Sequence, residues 1–418
     1  MDGGLRSVFN AHFSDDLYAR MCALMDERLA TPRFEFRLAE TPIFLPPDLR
    51  DRCVAAAREI LKLISRPAVI EACQQAIPER YRAPRPDRLP HFLAIDLAIV
   101  RGPDGALEPR LIELQGFSSL YGMQFVQSGV WGEVCAAIPG MPERFTALFS
   151  GLRPDVYLDL LRRTVIADAD PEEVILLDLE PETQKTVPDF RATARLLGVR
   201  AVCVTDLRRE GRRLFAPAPG GRRVPVRRIL HRVVFDELDR RRVDMCFDYR
   251  DDLDVVWAAH PNWYWVWSKF TLPHIDHPAA PRTWRLSDLD RWPDDPSRYI
   301  LKPIFSFAGR GVFVDVDRRV LDGIPQEHRG DYILQEKVEY APALTAPDGA
   351  GVKAEMRMMF LRPDGDADMT LAVNMARLSR GKMHGVDHNK GLRWVGSSVG
   401  LWPAPADRDG AGAAGAAR

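Results

Sequence analysis

Residues 173–207 constrain the fold most. EVILLDL (173–179) is a short apolar run of strand composition, and DFRATARLLG (189–198) spaces its apolar residues along one helical face before closing on Gly198. VRAVCVTDL (199–207) is a second strand. Two strands joined by a crossover helix lie parallel, so this stretch predicts a βαβ unit in a small Rossmann-like layer. No G-x-G-x-x-G follows the first strand, so a dinucleotide is not indicated. The run GRRLFAPAPGGRRVPVRRILHRVVF then predicts a hairpin, turned by the Pro and Gly residues around 216–221, that returns to a further strand.

A chain of 418 residues is too long for one core, and two or three packed units are expected. LYARMCALMDERLA (17–30) and LRDRCVAAAREILKLI (49–64) predict amphipathic helices. FLAIDLAIV (92–100) and RLIEL (110–114), separated by RGPDGALEP, predict a hairpin whose second strand carries Glu113 near its end. The aromatic run WAAHPNWYWVW (257–267) reads as packed core between units, with a shelf for a planar ligand as the alternative. Beyond 280 come YILKP (299–303), a loop SFAGRG (306–311), GVFVDV (311–316), YILQEKV (332–338), KAEMRMMFL (353–361) and MTLAVNMARL (369–378). These predict strands in a second α/β or α+β unit built on antiparallel pairing. The tail 403–418 has almost nothing to bury and is expected to be disordered.

Charge and cysteine usage exclude several classes. Lys and Arg number 58 against 59 Asp and Glu, so no global basic field draws nucleic acid or an anionic membrane. The opening MDGGLRSVFNAHFSDD has no basic segment before an apolar run, and no membrane-length apolar stretch follows, so the expected compartment is the cytoplasm. The six cysteines form no CxxC pair and read as buried thiols. The Arg-rich stretch 208–242 alternates with acids and reads as a solvated face. His384 and His388 are four apart, but the intervening Gly-Val-Asp argues for loop over a helical zinc site. Ser118 has no G-x-S-x-G context of a hydrolase nucleophile.

The chain is rich in Arg yet keeps eight Lys, six of them between 269 and 390. An ammonium on a flexible stem suits phosphate as a point charge, so these positions point to an anionic ligand. Lys302 closes a short strand, and a loop with Gly309 and Gly311 follows; glycine backbone can approach a ligand closely and turn N–H groups toward anionic oxygens. Further on, Glu336 stands in Q-E-K-V, where a strand edge can pair with a base and the carboxylate can accept from ribose hydroxyls. The strand with Glu355 and Arg357 comes next, and then R-L-S-R-G-K with Arg377, Arg380 and Lys382.

In that order these motifs resemble an ATP-grasp protein, of the circularly permuted kind that includes eukaryotic-type glutathione synthetase and is similar to the ligase domain of glutathionylspermidine synthetase. The resemblance covers most of residues 90–400, through motif order more than identity. It places the metal strand at L-I-E-L-Q-G-F-S-S-L, with Glu113 and Gln115 as Mg²⁺ ligands and Ser118 and Ser119 against substrate. The 171–235 unit resembles the family's substrate-binding insert, with Arg232 as a carboxylate-binding arginine. Lys269 in W-S-K-F-T-L and Lys302 match the nucleotide lysines, and Gln335, Glu336, Lys337 and Val338 match the linker strand. Glu355 matches the acid strand, and Arg380 and Lys382 match the family's R-x-K, with both catalytic and substrate-binding roles. W-V-G-S-S-V-G (394–400) resembles the substrate-covering loop. Two positions depart: Gln115 stands where the family has Asn, and Ser306 replaces a third metal carboxylate.

The resemblance implies an α/β (α+β) ATP-grasp fold divided at 1–165 (helical part and metal hairpin), 166–260 (Rossmann-like substrate unit), 261–402 (nucleotide part) and a tail. It implies an ATP- and Mg²⁺-dependent ligase that joins a small-molecule carboxylate to an amine through an acyl phosphate. Neither nucleic acid nor membrane is an expected partner, and a homodimer is left open. The alternatives are an ATP-binding module that has lost catalysis and a phosphotransferase that stops before amide formation.

Overall fold

The computed structural model describes residues 3–30, 37–306, 311–381, 389 and 391–405. Val174–Asp178 and Arg200–Cys203 lie parallel, joined through the Val187–Leu197 helix. That helix stops where Gly198 takes φ +73° and donates its N–H to Ala194 O at 2.8 Å. Arg228–His231 and Val256–Trp257 extend the sheet on the other side of Val174–Asp178, all parallel. Every residue of Val174–Asp178 is buried, as both faces are covered. The hairpin expected around 216–221 is Arg213–Pro217 against Arg223–Val226, with Gly220 and Gly221 at positive φ.

A larger antiparallel sheet unites distant parts of the chain. Its order is Gly396–Ser398, Thr370–Ser379, Gly351–Leu361, Phe92–Arg101 and Leu107–Gln115, with Pro342–Thr345 paired to Gly351–Leu361. The expected 92–114 hairpin therefore docks edge to edge on the C-terminal strands, with Asp96 opposite Arg357. The helix Pro47–Ile64, opened by a proline at its first position, buries Leu49, Cys53, Ala57, Ile60 and Ile64 and packs on Leu107–Gln115.

A third, smaller sheet runs Thr283–Arg285, Tyr332–Glu336, Tyr299–Pro303, all antiparallel. Alternation sorts its side chains. Leu301 and Leu334 join Leu286, Val316 and Leu321 in a separate apolar cluster, whereas Ile333 turns the other way into the main core. One face of this sheet is closed on itself and the other looks toward the larger sheet.

Three expectations need correction or limits. GVFVDV is not a strand: Phe313 makes a single bridge to Leu301, and the next pairing position, Pro303, has no N–H to continue the ladder. W-V-G-S-S-V-G is not a covering loop but two buried strands, Gly396–Ser398 and the start of Gly400–Pro403. Its glycines permit close packing, since a Cβ on Gly396 (φ +118°) would stand 2.5 Å from Arg37 O and one on Gly400 2.5 Å from Leu45 Cδ1. Pro403 of the expected tail pairs with Phe145, and residues 406–418 lie outside the described residues. The aromatic run is packed core, with Trp263, Tyr264, Trp265 and Trp267 all buried. The six cysteines are free thiols, three of them buried and Cys22, Cys203 and Cys246 partly so. Among the described residues no helix is long and apolar enough to cross a membrane.

Candidate active site

Three segments far apart in the chain meet at the face of the small sheet that turns toward the larger sheet. The first is the end of Leu107–Gln115, where Glu113 and Gln115 project from one face two residues apart. Residues 267–279 run beside this strand and grip it, Gly116 N donating to Trp267 O and Leu111 N to Ala279 O, both at 2.8 Å. A Cβ on Gly116 would lie 2.7 Å from Trp263 O, so only glycine allows this approach.

That contact delivers the second segment. Lys269 opens a short 3₁₀ helix held by its cap, where Ser268 Oγ accepts from Phe270 N at 3.1 Å and Ser268 N donates to Thr271 Oγ1 at 3.3 Å. The Lys269 ammonium then stands 3.7 Å from Glu113 Oε2 and donates to Ser306 O at 2.6 Å.

The third segment is Tyr299–Pro303. Lys302 leaves the face that turns toward the larger sheet and donates to Gln335 Oε1 at 2.6 Å and to Ile112 O at 3.2 Å. A bulge frees that carbonyl: Asp96 pairs with Glu113 and Leu97 with Leu111, so Ile112 has no register partner. Burial pushes the Lys302 ammonium down to about 8; Glu113 opposes the shift and Lys269 adds to it.

Behind these groups lies a buried charge network. Arg357 clamps Asp96 with Nε and Nη2 at 2.6 and 2.7 Å, and Arg377 Nη2 donates to Asp96 Oδ2 at 2.6 Å. Arg377 also pairs with Glu355, whose second oxygen accepts from Tyr340 OH at 2.7 Å. Burial alone would raise the fully buried Asp96 carboxyl, but the two guanidinium charges hold it below its ordinary value. Asp96 and Tyr340 were not singled out in the sequence. An acid interrupting the apolar run FLAIDLAIV was the available signal for Asp96, because a buried carboxylate requires partners. Nothing in the sequence marks Tyr340.

The remaining candidates divide. Gly311 keeps φ +72°, with Pro303 Cγ 2.9 Å from where a Cβ would be. Glu336 is occupied at the end of the central strand, its N–H donating to Arg282 O and its Oε2 accepting from Arg282 N at 3.2 Å. Lys337 donates to Ser297 O at 2.6 Å, and Val338 is half-buried in the segment that crosses to the larger sheet. Glu355 belongs to the Arg377–Tyr340 network just described. Arg380 is not brought to Glu113: it pairs with Asp348 at 3.1 Å and lines a separate cavity with Phe13 and Arg393. Gly309, Lys382, His384 and His388 lie outside the described residues.

Arg232, Ser118 and Ser119 sit at the carboxyl end of the parallel sheet. Arg232 is 2% exposed; it pairs with Asp189 at 2.5 Å, donates to Ser119 Oγ at 3.0 Å and covers the Phe190 ring at 4.6 Å. Asp189 also accepts from Leu120 N and Met123 N at the start of the Tyr121–Ala136 helix. Ser118 Oγ donates to His231 O at 2.8 Å. The substrate roles expected for these residues meet a network that already uses most of their bonding capacity; only Arg232 Nε lacks a hydrogen-bond partner among the described residues.

Glu113 and Gln115 line one small cavity with Lys269 and Ser306. Their hard oxygens fit Mg²⁺, which keeps waters and takes further ligands from phosphates. Among the described residues no cluster of three His, Cys, Asp or Glu could hold a metal. Ser306 offers its carbonyl to Lys269.

No family model matches the chain, and no curated protein sequence matches it. Among solved structures, its fold is similar to that of a glutathione synthetase-like effector from Globodera pallida in its apo form. The TM-score is 0.54 at 13% identity, over 88% of this chain and 95% of that one. The likeness is one of fold. This chain is thus a mixed α/β protein of several sheets with the architecture of a glutathione synthetase-like protein.

Proposed function

We propose that the protein is a circularly permuted ATP-grasp ligase that joins a carboxylate to an amine through an acyl phosphate. The observation that carries this reading is the meeting of Glu113, Lys269 and Lys302 from three remote segments, with Lys269 3.7 Å from Glu113 and Lys302 bonded to the neighbouring Ile112 carbonyl. Two ammonium groups beside one carboxylate suit a polyphosphate with its counter-ion.

A carboxylate carbon is a poor electrophile with no leaving group. Transfer of the γ-phosphoryl group to a carboxylate oxygen releases ADP and makes phosphate the leaving group. Attack by the amine then forms the amide, expels phosphate and sheds the amine proton. Lys269 and Lys302 hold the phosphoryl oxygens in line and neutralise charge as it spreads over them. Lys302, desolvated on one side and braced by Gln335 and Ile112, is preorganised for this. Mg²⁺ held by Glu113 and Gln115 would supply further neutralisation of the phosphates. The fold likeness supports the reading at the level of architecture.

ADP release with panels of carboxylates and amines is the test. Glu113→Gln and Lys302→Ala are each expected to lower turnover by about 100-fold. Turnover within about threefold of wild type, a change under ~1 kcal/mol, would overturn the assignment.

A second reading has one observation in its favour. Ser306 supplies no third carboxylate, and its carbonyl already occupies Lys269, which suits a nucleotide-binding module without turnover. Calorimetric binding of a non-hydrolysable ATP analogue, without ADP release across the panel, would select it.

A further inference from the structure

A cavity of about 1110 Å³ lies behind the aromatic run, away from the cleft. Trp263 and Val266 line it, whereas Tyr264 between them lines the small cavity of Glu113 and Lys269, so the single helical turn Trp263–Val266 is the partition. None of Glu113, Lys269 and Lys302 reaches the larger cavity. Its other walls are the end of the Pro47–Ile64 helix, the Pro67–Cys73 helix, residues 77–89 and the turn that leads into Thr370–Ser379. The inner wall is apolar and fixed. Ile77, Leu89, Trp263 and Val266 belong to the main core, and Asn262 ties the wall together, its Oδ1 accepting from Ala83 N at 2.9 Å and its Nδ2 donating to Ala83 O at 3.0 Å. Pro67, Pro84 and Pro86 stiffen the backbone around it. Preformed, mostly apolar cavities of roughly this size accept a small organic ligand.

Charge at the mouth says which end of a ligand is polar. Arg58 and Lys62 are exposed, stand one turn apart on one helix, and have neither a hydrogen bond nor an ion pair among the described residues. Like charges at that spacing weaken a helix, so the pair does nothing for the fold. The neighbouring charges are spent. Arg82 donates to Gln74 O and Ile77 O and pairs with Glu79, Arg88 donates to Ala367 O, and Asp87 stands 4.0 Å from Arg362. Glu71 and Asp368 lie on other walls, Glu71 on the second helix and Asp368 on the turn. The cations are thus gathered on one side of the mouth.

We propose that this cavity binds an amphipathic carboxylate, with an acyl chain or similar apolar body against Ile70, Trp263 and Val266 and its carboxylate at Arg58 and Lys62. A wholly apolar ligand leaves the two cations unused, and an amine meets them with like charge. The site is separate from the cleft and does not depend on the reaction proposed there.

Isothermal titration of the full-length chain with octanoate, decanoate and dodecanoate, each below its micelle concentration, tests this. Every CH₂ moved from water into the cavity is expected to tighten binding about three- to fourfold, so each two-carbon step should give about tenfold. Decylamine should bind about fivefold more weakly than decanoate, and the double variant Arg58→Ala, Lys62→Ala should lose that preference. Ile70→Trp, which fills the cavity, should abolish saturable binding of decanoate. No saturable binding by wild type, or equal affinity along the series, overturns the inference, and that series needs no variant to fold. Decylamine bound as tightly as decanoate by wild type also overturns it. So does decanoate binding that is unchanged in folded Ile70→Trp, which would put the ligand elsewhere.

Discussion

The cleft and the carboxyl end of the parallel sheet both bury charge, and they treat it differently. At the parallel sheet, Arg232 and Asp189 neutralise each other at 2.5 Å, and Asp189 spends its remaining capacity on the start of a helix. In the cleft, Asp96 and Glu355 balance Arg357 and Arg377, and Glu113 stands against Lys269, which leaves Lys302 with only neutral oxygens as hydrogen-bond partners. Closed networks specify a fold. A buried ammonium bonded only to neutral oxygens is instead suited to an anion.

The contrast is sharpest in mutants that remove one cation from each region. Arg232→Ala strands the Asp189 carboxylate in a dry setting and should cost about 3–5 kcal/mol in urea unfolding. Asp96→Asn, which leaves two guanidinium groups facing a neutral amide, should cost a similar amount. Neither loss is expected from Lys302→Met, whose thioether replaces a desolvated ammonium with apolar volume; its unfolding free energy should stay within about 1 kcal/mol of wild type. An Arg232→Ala protein as stable as wild type but unable to turn over substrate would break the comparison, because Arg232 would then be a ligand group and not a brace.

Binding gives the next largest effect, in the opposite order. Lys302→Met should weaken binding of a non-hydrolysable ATP analogue by about 100-fold, and Glu113→Gln should do so mainly when Mg²⁺ is present. In a variant such as Arg232→Lys, which keeps the charge, nucleotide affinity should move less than threefold. Isothermal titration on protein shown to be folded checks all three.

The different legibility of the two regions follows from the range of the interactions. The βαβ unit could be read because its signals are local: apolar runs, one amphipathic helix and Gly198 at its end. The hairpin with Glu113 could be read for the same reason, and the order of motifs placed Lys269 and Lys302 with it. Partners could not be read. That Glu355 turns to Arg377 and Tyr340, that Glu336 closes onto Arg282 and that Arg380 goes to Asp348 depend on strand register and on which edge each strand finds. W-V-G-S-S-V-G misled because glycine serves equally for a mobile cover and for tight strand packing, and the neighbours at Arg37 and Leu45 that decide between them lie about 350 residues upstream. The bulge at Ile112, which gives Lys302 its acceptor, has no mark in the sequence.

The smallest effect separates the two regions by pH. Burial holds the Lys302 ammonium at about 8, below the ordinary lysine value. A nucleotide that needs this charge should bind with constant affinity below about pH 8 and lose up to about tenfold per pH unit above it. The folding linkage has the reverse sign. Between about pH 8 and pH 10.5 the unfolded chain carries the proton and the native state does not, so this lysine makes stability rise with pH, by at most on the order of 3 kcal/mol. Affinity falling while the wild-type minus Lys302→Met stability difference rises is therefore the joint signature of one buried amine. A wild-type affinity that is flat from pH 7 to 10 would mean that the triphosphate, if bound, is gripped by Lys269 and backbone amides, and that Lys302 braces Gln335 and the bulge without touching it.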